Sequence, residues 1–274
     1  MLQFMHMKNN NSYRIIFVDI DWTILDHNKH DWDYPSIDIL KKLQKEGLLV
    51  YLCTARPYDS VLHTGIFELF TPDGVICTNG GVAFVRDELL FANTIPEEMV
   101  RTIEKVANKH HLVLELSTNK ERYFTAKPNC YVQKYFSVYA EVIPVIRKYQ
   151  NKDVSAILLF APEKYDEVLK KEFPKEMSLL RFDTCGVDVG YFKNTKGDGI
   201  IKVLKELDIN KEHAIGIGDS NDDISMFKEV GLSIAMANGS DDAKASADIV
   251  TSPVSESGLY NALKEIFNKQ LFVK

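Results

Sequence analysis

The chain has 274 residues, enough for one large domain or two small ones with a sizeable core. Its 45% hydrophobic and 26% charged residues match a globular protein, and no stretch approaches the roughly 18 continuous apolar residues of a membrane span. A net charge of −6 argues against a broad nucleic-acid-binding surface, which needs a basic excess, but not against an anionic small substrate, because a bound metal can invert the local field.

The opening MLQFMHMKNNNS lacks an apolar core of the secretory kind and reads as a short disordered leader. Arg14 to Val18 (R-I-I-F-V) predicts a strand buried on both faces. A helix runs from Pro35 toward Gly47 with Ile37, Leu40 and Leu43 at helical spacing. Leu48 to Cys53 and Val75 to Cys77 are further buried strands, separated by a segment around Ser60 to Phe70. Such alternation predicts a parallel, Rossmann-like sheet with helices on both faces and right-handed crossovers.

The texture then changes. A hairpin is expected over Val82 to Ile95, turning at Arg86-Asp87-Glu88, and an amphipathic helix over Pro96 to His110. Paired strands are expected at Leu112 to Leu116 and Arg122 to Thr125, then a helix over Val138 to Tyr149, a strand at Ala156 to Phe160 and a helix over Lys164 to Lys171. Strands at Ser178 to Phe182 and Val187 to Tyr191 close the stretch. More than a hundred residues is too long for an α/β connection, so an inserted α+β domain with its own core is expected. The expected division is residues 12–82 and 192–274 for the catalytic core and 83–191 for the insert. The first texture returns in the helix face Ile200, Leu204 and Leu207, the strands Ala214 to Ile217 and Leu232 to Met236, a weaker strand at Ala247 to Val250, and a last helix with Leu259, Leu263 and Ile266.

Cys53, Cys77, Cys130 and Cys185 form no C-x-x-C pair, which predicts reduced thiols and a cytoplasmic location rather than a zinc site or disulfide framework. The histidines are scattered, and the pair His110-His111 reads as solvated or capping.

The chemistry concentrates at strand ends. Asp19 and Asp21 follow the first strand two residues apart, a spacing that aims both carboxylates at one site beyond the sheet. Two close carboxylates need a cation, a shared proton or solvent. Gly218-Asp219-Ser220-Asn221-Asp222-Asp223 follows another strand, and three acids on one turn suit a hard, oxygen-seeking cation. Gly216 and Gly218 imitate the start of a dinucleotide fingerprint, but Asn221 stands where its third glycine belongs. Thr54-Ala55-Arg56 ends the second strand and Lys196-Gly197-Asp198-Gly199 precedes a helix, offering the hydroxyl and ammonium that orient and neutralise a phosphoryl group.

This ordered set, D-x-D-x-T, then Thr, then Lys, then G-D-x-x-x-D, resembles the haloacid dehalogenase-like hydrolases, in particular the Cof-type sugar-phosphate phosphatases with a large inserted cap. The resemblance implies a Mg2+-dependent phosphoric monoester hydrolase acting on a small phosphorylated metabolite, a sugar phosphate or a related organophosphate. It implies that Asp19 attacks phosphorus to form an aspartyl-phosphate, and that Asp21 protonates the leaving oxygen and then activates water. It implies Mg2+ held by the Asp19 carboxylate, the Asp21 carbonyl and Asp219, with Asp223 in support. Thr54 and Lys196 would bind phosphoryl oxygens, with Ala55, Arg56, Asn79 (in Asn79-Gly80-Gly81) and Asp222 as further substrate-binding positions. The inserted cap would close over the substrate and choose the leaving group; no nucleic-acid or membrane partner and no particular oligomeric state is implied. Trp22 stands where the family usually has Gly, and reads either as packing beneath the cap or as stacking on a sugar or base. Asp222 stands where the family usually has Asn, whose amide helps to bind phosphate. Two other functions fit the same residues: a phosphosugar mutase or other phosphotransferase of the same superfamily, and a protein that binds a phosphorylated ligand without turnover.

Overall fold

The computed structural model describes residues 13–138, 142–150, 153–191 and 194–271, and the expected leader lies outside them. The apolar run after Arg14 is β1 (Ile15–Val18), buried at every residue. A small hairpin follows, β2 (Leu25–Asp26) paired with β3 (Asp31–Trp32). The helix with Pro35 in its first turn is α1 (Tyr34–Lys45), and β4 (Leu49–Cys53) comes after it. The segment beyond holds α2 (Tyr58–His63), α3 (Ile66–Leu69) and β5 (Gly74–Cys77). Then β6 (Val82–Val85) and β7 (Glu88–Ala92) flank Arg86 and Asp87, both at positive φ, as a two-residue turn between twisted strands requires.

The middle of the chain holds α4 (Glu97–Lys109), β8 (Val113–Ser117), β9 (Arg122–Phe124), α5 (Cys130–Val138), β10 (Val145–Ile146), β11 (Ala156–Phe160), α6 (Asp166–Glu172), β12 (Met177–Asp183) and β13 (Gly186–Tyr191). These strands form a six-stranded sheet in the order β10-β9-β8-β11-β13-β12. Val100, Ile103 and Val106 of α4 pack with Leu114, Leu116, Ile157 and Leu159 of the sheet in one buried cluster. Each such side chain contributes about 1.5–3 kcal/mol on burial, so this region has its own core. The helix expected over Val138 to Tyr149 is not there: Val145 and Ile146 pair in parallel with Tyr123 and Phe124. Pro144 supplies no backbone N–H, which weakens any helix through that point. The helix comes earlier, as α5, where Asn129 Oδ1 accepts the N–H groups of Tyr131 and Val132 at 3.0 and 3.1 Å.

The last part returns to α7 (Lys196–Glu206), β14 (Ala214–Gly218), α8 (Asp223–Phe227), β15 (Leu232–Ala235), α9 (Asp241–Ser246), β16 (Ile249–Val250) and α10 (Gly258–Leu271). The larger sheet has eight strands in the order β16-β15-β14-β1-β4-β5-β6-β7. Pairing is parallel from β16 through to β5, whereas β6 runs antiparallel to β5, so the sheet is mixed rather than wholly parallel. The short turn after β5 leaves no room for a crossover helix, and a direct return must be antiparallel. β1 lies between β14 and β4, which places the chain beyond all three strands at one edge of the sheet.

The chain forms two compact units. The first runs to Ala55, resumes over Phe67–Leu89 and continues from Thr195; the second comprises Arg56–Ile66 and Leu90–Asn194. Within the first, α1 packs on α10 and α7 on α8. Among the described residues, no helix is long and apolar enough to cross a membrane.

Candidate active site

Asp19 leaves the end of β1, and its backbone N–H donates to the Ile217 carbonyl of β14 at 2.9 Å. That bond ties together the two strand ends that carry acids. The Asp19 side chain is buried.

Lys196 is the first residue of α7. Thr195 caps that helix: its Oγ1 accepts the Asp198 N–H at 3.2 Å, while Asp198 Oδ2 accepts the Thr195 N–H at 3.0 Å. The lysine is 1% exposed, and its Nζ donates to Asp19 Oδ1 at 2.7 Å and to Asp223 Oδ1 at 2.6 Å. Asp222 Oδ2 stands 3.4 Å from the same nitrogen. An ammonium at the positive end of a helix is unfavourable, and these carboxylates reverse that balance. Burial would push the ammonium down, yet Asp19, Asp222 and Asp223 hold it well above its ordinary value.

The turn after β14 is folded around Asp223. Its Oδ2 accepts the backbone N–H groups of Asp219 and Ser220, both at 2.9 Å, and the Ser220 hydroxyl at 3.0 Å. A Cβ on Gly218 would lie 2.3 Å from the Asp223 carboxyl carbon, so glycine there makes room for the carboxylate. The glycines that imitate a nucleotide fingerprint serve this turn and the approach of α8 to β14: a Cβ on Gly216 would meet the Met226 side chain at 3.0 Å. Asp219 is held from two sides. Thr23 Oγ1 donates to its Oδ1 at 3.2 Å, and its carbonyl accepts the Ser240 N–H at 2.8 Å.

One ammonium thus sits among Asp19, Asp219, Asp222 and Asp223, an excess of negative charge in a buried space. Burial first, and then the neighbouring carboxylates, push Asp19 well above the ordinary carboxylate range and Asp219 up to about 7; Lys196 opposes both shifts. Asp223 is also pushed up, by burial foremost. Asp222 goes the other way: against the upward push of burial, the Lys196 charge and a hydrogen bond from Ser220 keep it below its ordinary value. Asp222 is therefore an ionised partner of the lysine. One oxygen each from Asp19, Asp219 and Asp223 lies within 4.8 Å of the others. An all-oxygen set with surplus negative charge fits a hard divalent cation, which would relieve the crowding that raises these carboxyls.

Asp21 lies beyond that triad, close enough to push Asp19 upward. Its Oδ1 is 2.6 Å from His27 Nε2. The intervening Trp22 has φ +61°, a conformation that costs an indole-bearing residue more than it would cost glycine. Its ring packs on the His27 imidazole, with centroids 5.1 Å apart.

Thr54 follows β4 and is buried; its N–H donates to Ile76 O at 2.9 Å and its carbonyl accepts the Asn79 N–H at 3.2 Å. Asn79 has φ +51°, and its Oδ1 is buried with no hydrogen-bond partner. Gly80 beside it has φ +85°, and a Cβ there would lie 2.0 Å from the Thr195 carbonyl, so this turn packs directly on the start of α7. Ala55 is exposed. Arg56 belongs to the second unit and donates to Ser60 Oγ at 3.0 Å.

Of the residues singled out in the sequence, the structure gathers Asp19, Lys196, Asp219, Asp222 and Asp223 into one cluster and joins Thr54 to Asn79 through the backbone. Sequence reasoning missed Thr23 and Ser220 as supports of Asp219 and Asp223, although both stand inside the motifs. It also missed His27, which meets Asp21 because the chain doubles back through β2 just after the acid.

The sequence pattern of the haloacid dehalogenase-like hydrolases matches residues 16–263. A Bacillus subtilis protein named "Putative phosphatase YkrA" is 28% identical over 257 residues, which cover 92% of this chain and 97% of that one. Phosphoglycolate phosphatase 1 of Saccharolobus solfataricus is 25% identical over 249 residues, 90% of this chain and 92% of its own. The solved structure of BT4131, described as a subclass IIB sugar phosphatase, superposes with a TM-score of 0.78 at 26% identity, covering 92% of this chain and 98% of that one.

Proposed function

The chain belongs to the haloacid dehalogenase-like hydrolases and is a phosphatase acting on phosphorylated substrates, and we propose that it hydrolyses a sugar phosphate, with Mg2+, through an aspartyl-phosphate on Asp19. The observation that carries this reading is the Lys196 ammonium, bonded at once to Asp19 and Asp223 with Asp219 within reach. That arrangement holds a carboxylate nucleophile still and leaves a negative surplus that a divalent cation, together with the ammonium, would turn into a site for phosphoryl oxygens.

In this reading an Asp19 carboxylate oxygen attacks phosphorus as the bond to the leaving oxygen breaks. The departing oxygen takes its proton from Asp21, which is left as a carboxylate. Asp21 then takes a proton from the water that attacks the aspartyl-phosphate, and Asp19 is released with inorganic phosphate. Thr54 and Lys196 bind phosphoryl oxygens, and Asn79, with its buried Oδ1, contacts substrate nearby. Asp19, Asp219 and Asp223, with the Asp21 carbonyl, are the groups that would hold Mg2+. When bound, the ion supplies charge neutralisation for the phosphoryl group. Asp222, ionised beside Lys196, acts through the lysine rather than as a phosphate ligand. The second unit is the substrate-selecting cap in this reading.

The test is release of phosphate with Mg2+ from p-nitrophenyl phosphate and from a panel that includes hexose phosphates and phosphoglycolate, with Asp19→Asn as control. The expected result is Mg2+-dependent release, fastest on a hexose phosphate, falling at least about a thousandfold in the variant. Equal release by wild type and Asp19→Asn would sink the mechanism, and phosphoglycolate as the fastest substrate would replace the sugar assignment.

A further inference from the structure

We infer that His27 is a positioning residue for Asp21, and that Trp22 holds His27 in that role. This rests on the proposed reading, in which Asp21 carries the proton for the leaving group. The inference starts from the imidazole and the carboxyl, 2.6 Å apart with His27 9% exposed, in a segment whose shape is fixed locally. Trp22 N–H donates to the Leu25 carbonyl at 2.9 Å, and Asp21 forms a bridge with Leu25, so the chain doubles back just after the acid. Asp26 Oδ1 accepts the Asn28 N–H at 2.9 Å, which pins the turn that starts at His27. The Trp22 ring then closes on the imidazole.

Trp22 itself is restrained. Its carbonyl accepts from Asn238 Nδ2 at 2.9 Å, and Asn238 Oδ1 in turn accepts the Val254 N–H at 2.8 Å. The strained φ of +61° is thus held by partners far along the chain. A non-glycine residue kept in that conformation, with its ring laid on a histidine, has a use if the histidine must not move.

A carboxyl has two equivalent oxygens and a soft terminal torsion. With the ring proton on Nε2, the bond from Nε2–H to Oδ1 fixes the direction in which the second oxygen points, and that direction decides whether the proton reaches the departing oxygen. The predicted signature is therefore dependence on the leaving group. An alkoxide leaving group needs the proton as the P–O bond breaks; p-nitrophenolate, a stable anion, does not.

The experiment compares kcat and KM of wild type, His27→Ala and His27→Gln with Mg2+, on p-nitrophenyl phosphate and on the alkyl phosphate that wild type turns over fastest. For His27→Ala the expected kcat loss is about a hundredfold on the alkyl ester and at most about threefold on p-nitrophenyl phosphate, with KM little changed. His27→Gln, whose amide N–H can take the place of Nε2–H, is expected to recover most of the alkyl-ester rate. Trp22→Gly is expected to show the same leaving-group dependence, more weakly. The ratio of the two rates within one preparation is independent of the fraction folded, so a destabilised variant still answers the question. Equal losses on both esters, or none on either, would overturn the role of His27 alone. A wild type inactive on both esters would overturn the phosphatase mechanism and this role with it.

Discussion

Each compact unit buries a cation among carboxylates, and the two clusters differ in balance. In the second unit Arg122 is 5% exposed; its Nε donates to Asp59 Oδ2 at 3.0 Å, and a terminal nitrogen lies 3.5 Å from the fully buried Glu115. There one guanidinium faces two carboxylates rather than four, hydrogen-bonded to Asp59 and ion-paired with Glu115. In the first unit the Lys196 ammonium is outnumbered by Asp19, Asp219, Asp222 and Asp223, and burial drives Asp19 and Asp219 upward for want of enough positive charge. The difference teaches that burial of charge is not itself the mark of a catalytic site. The mark is a surplus of one sign that a cation and an anionic substrate together would complete.

The largest effect is expected from removing each cation. Lys196→Met should abolish turnover, at least about a thousandfold, and destabilise the first unit by about 3–5 kcal/mol because buried carboxylates lose their partner. Arg122→Met should cost about as much stability in the second. Thermal unfolding with and without Mg2+ separates the two: the ion should restore part of the Lys196→Met loss and none of the Arg122→Met loss. Equal restoration would dissolve the contrast between the clusters.

A smaller effect concerns pH. Asp219 holds its proton up to about 7 in the metal-free protein, against an ordinary value of 3.8. Between those values the folded chain binds more protons than the unfolded one, so stability falls as pH rises through that window and levels off above about 7. The loss attributable to this group is about 4 kcal/mol at most. Denaturant midpoints between pH 4 and pH 8 should show the fall, and saturating Mg2+ should flatten it by taking the proton's place. A metal-free protein whose stability rises over that range would contradict the charge surplus.

The smallest effect is expected from Asp222→Asn. It removes one surplus charge while leaving Lys196 bonded to Asp19 and Asp223. Turnover should be preserved or raised by about threefold or less, on the scale of a partly exposed ion pair. A large loss in a steady-state assay would give the Asp222 carboxylate a role beyond its lysine.

Much of the first unit was legible before the structure. β1, β4 and β14 are short, fully apolar runs, and a buried parallel strand allows little else. The second unit was harder. α5 and β10 carry no strong period, and Pro144 interrupts the span expected to be helical. Within the site, Trp22 was noticed as a departure from glycine, but its positive φ and its contact with His27 follow from how the hairpin closes.

From the sequence alone came the placing of Asp19, Asp21, Thr54 and Asp219 just past the ends of buried strands, because hydrophobic runs set where strands stop and polar chain begins. The tertiary structure decided the pairings. Lys196 meets Asp19 across 177 residues, Asp222 is drawn to that lysine, and Asp21 is given to His27. Such choices depend on which charges share one buried space, and only packing brings distant segments together to make it.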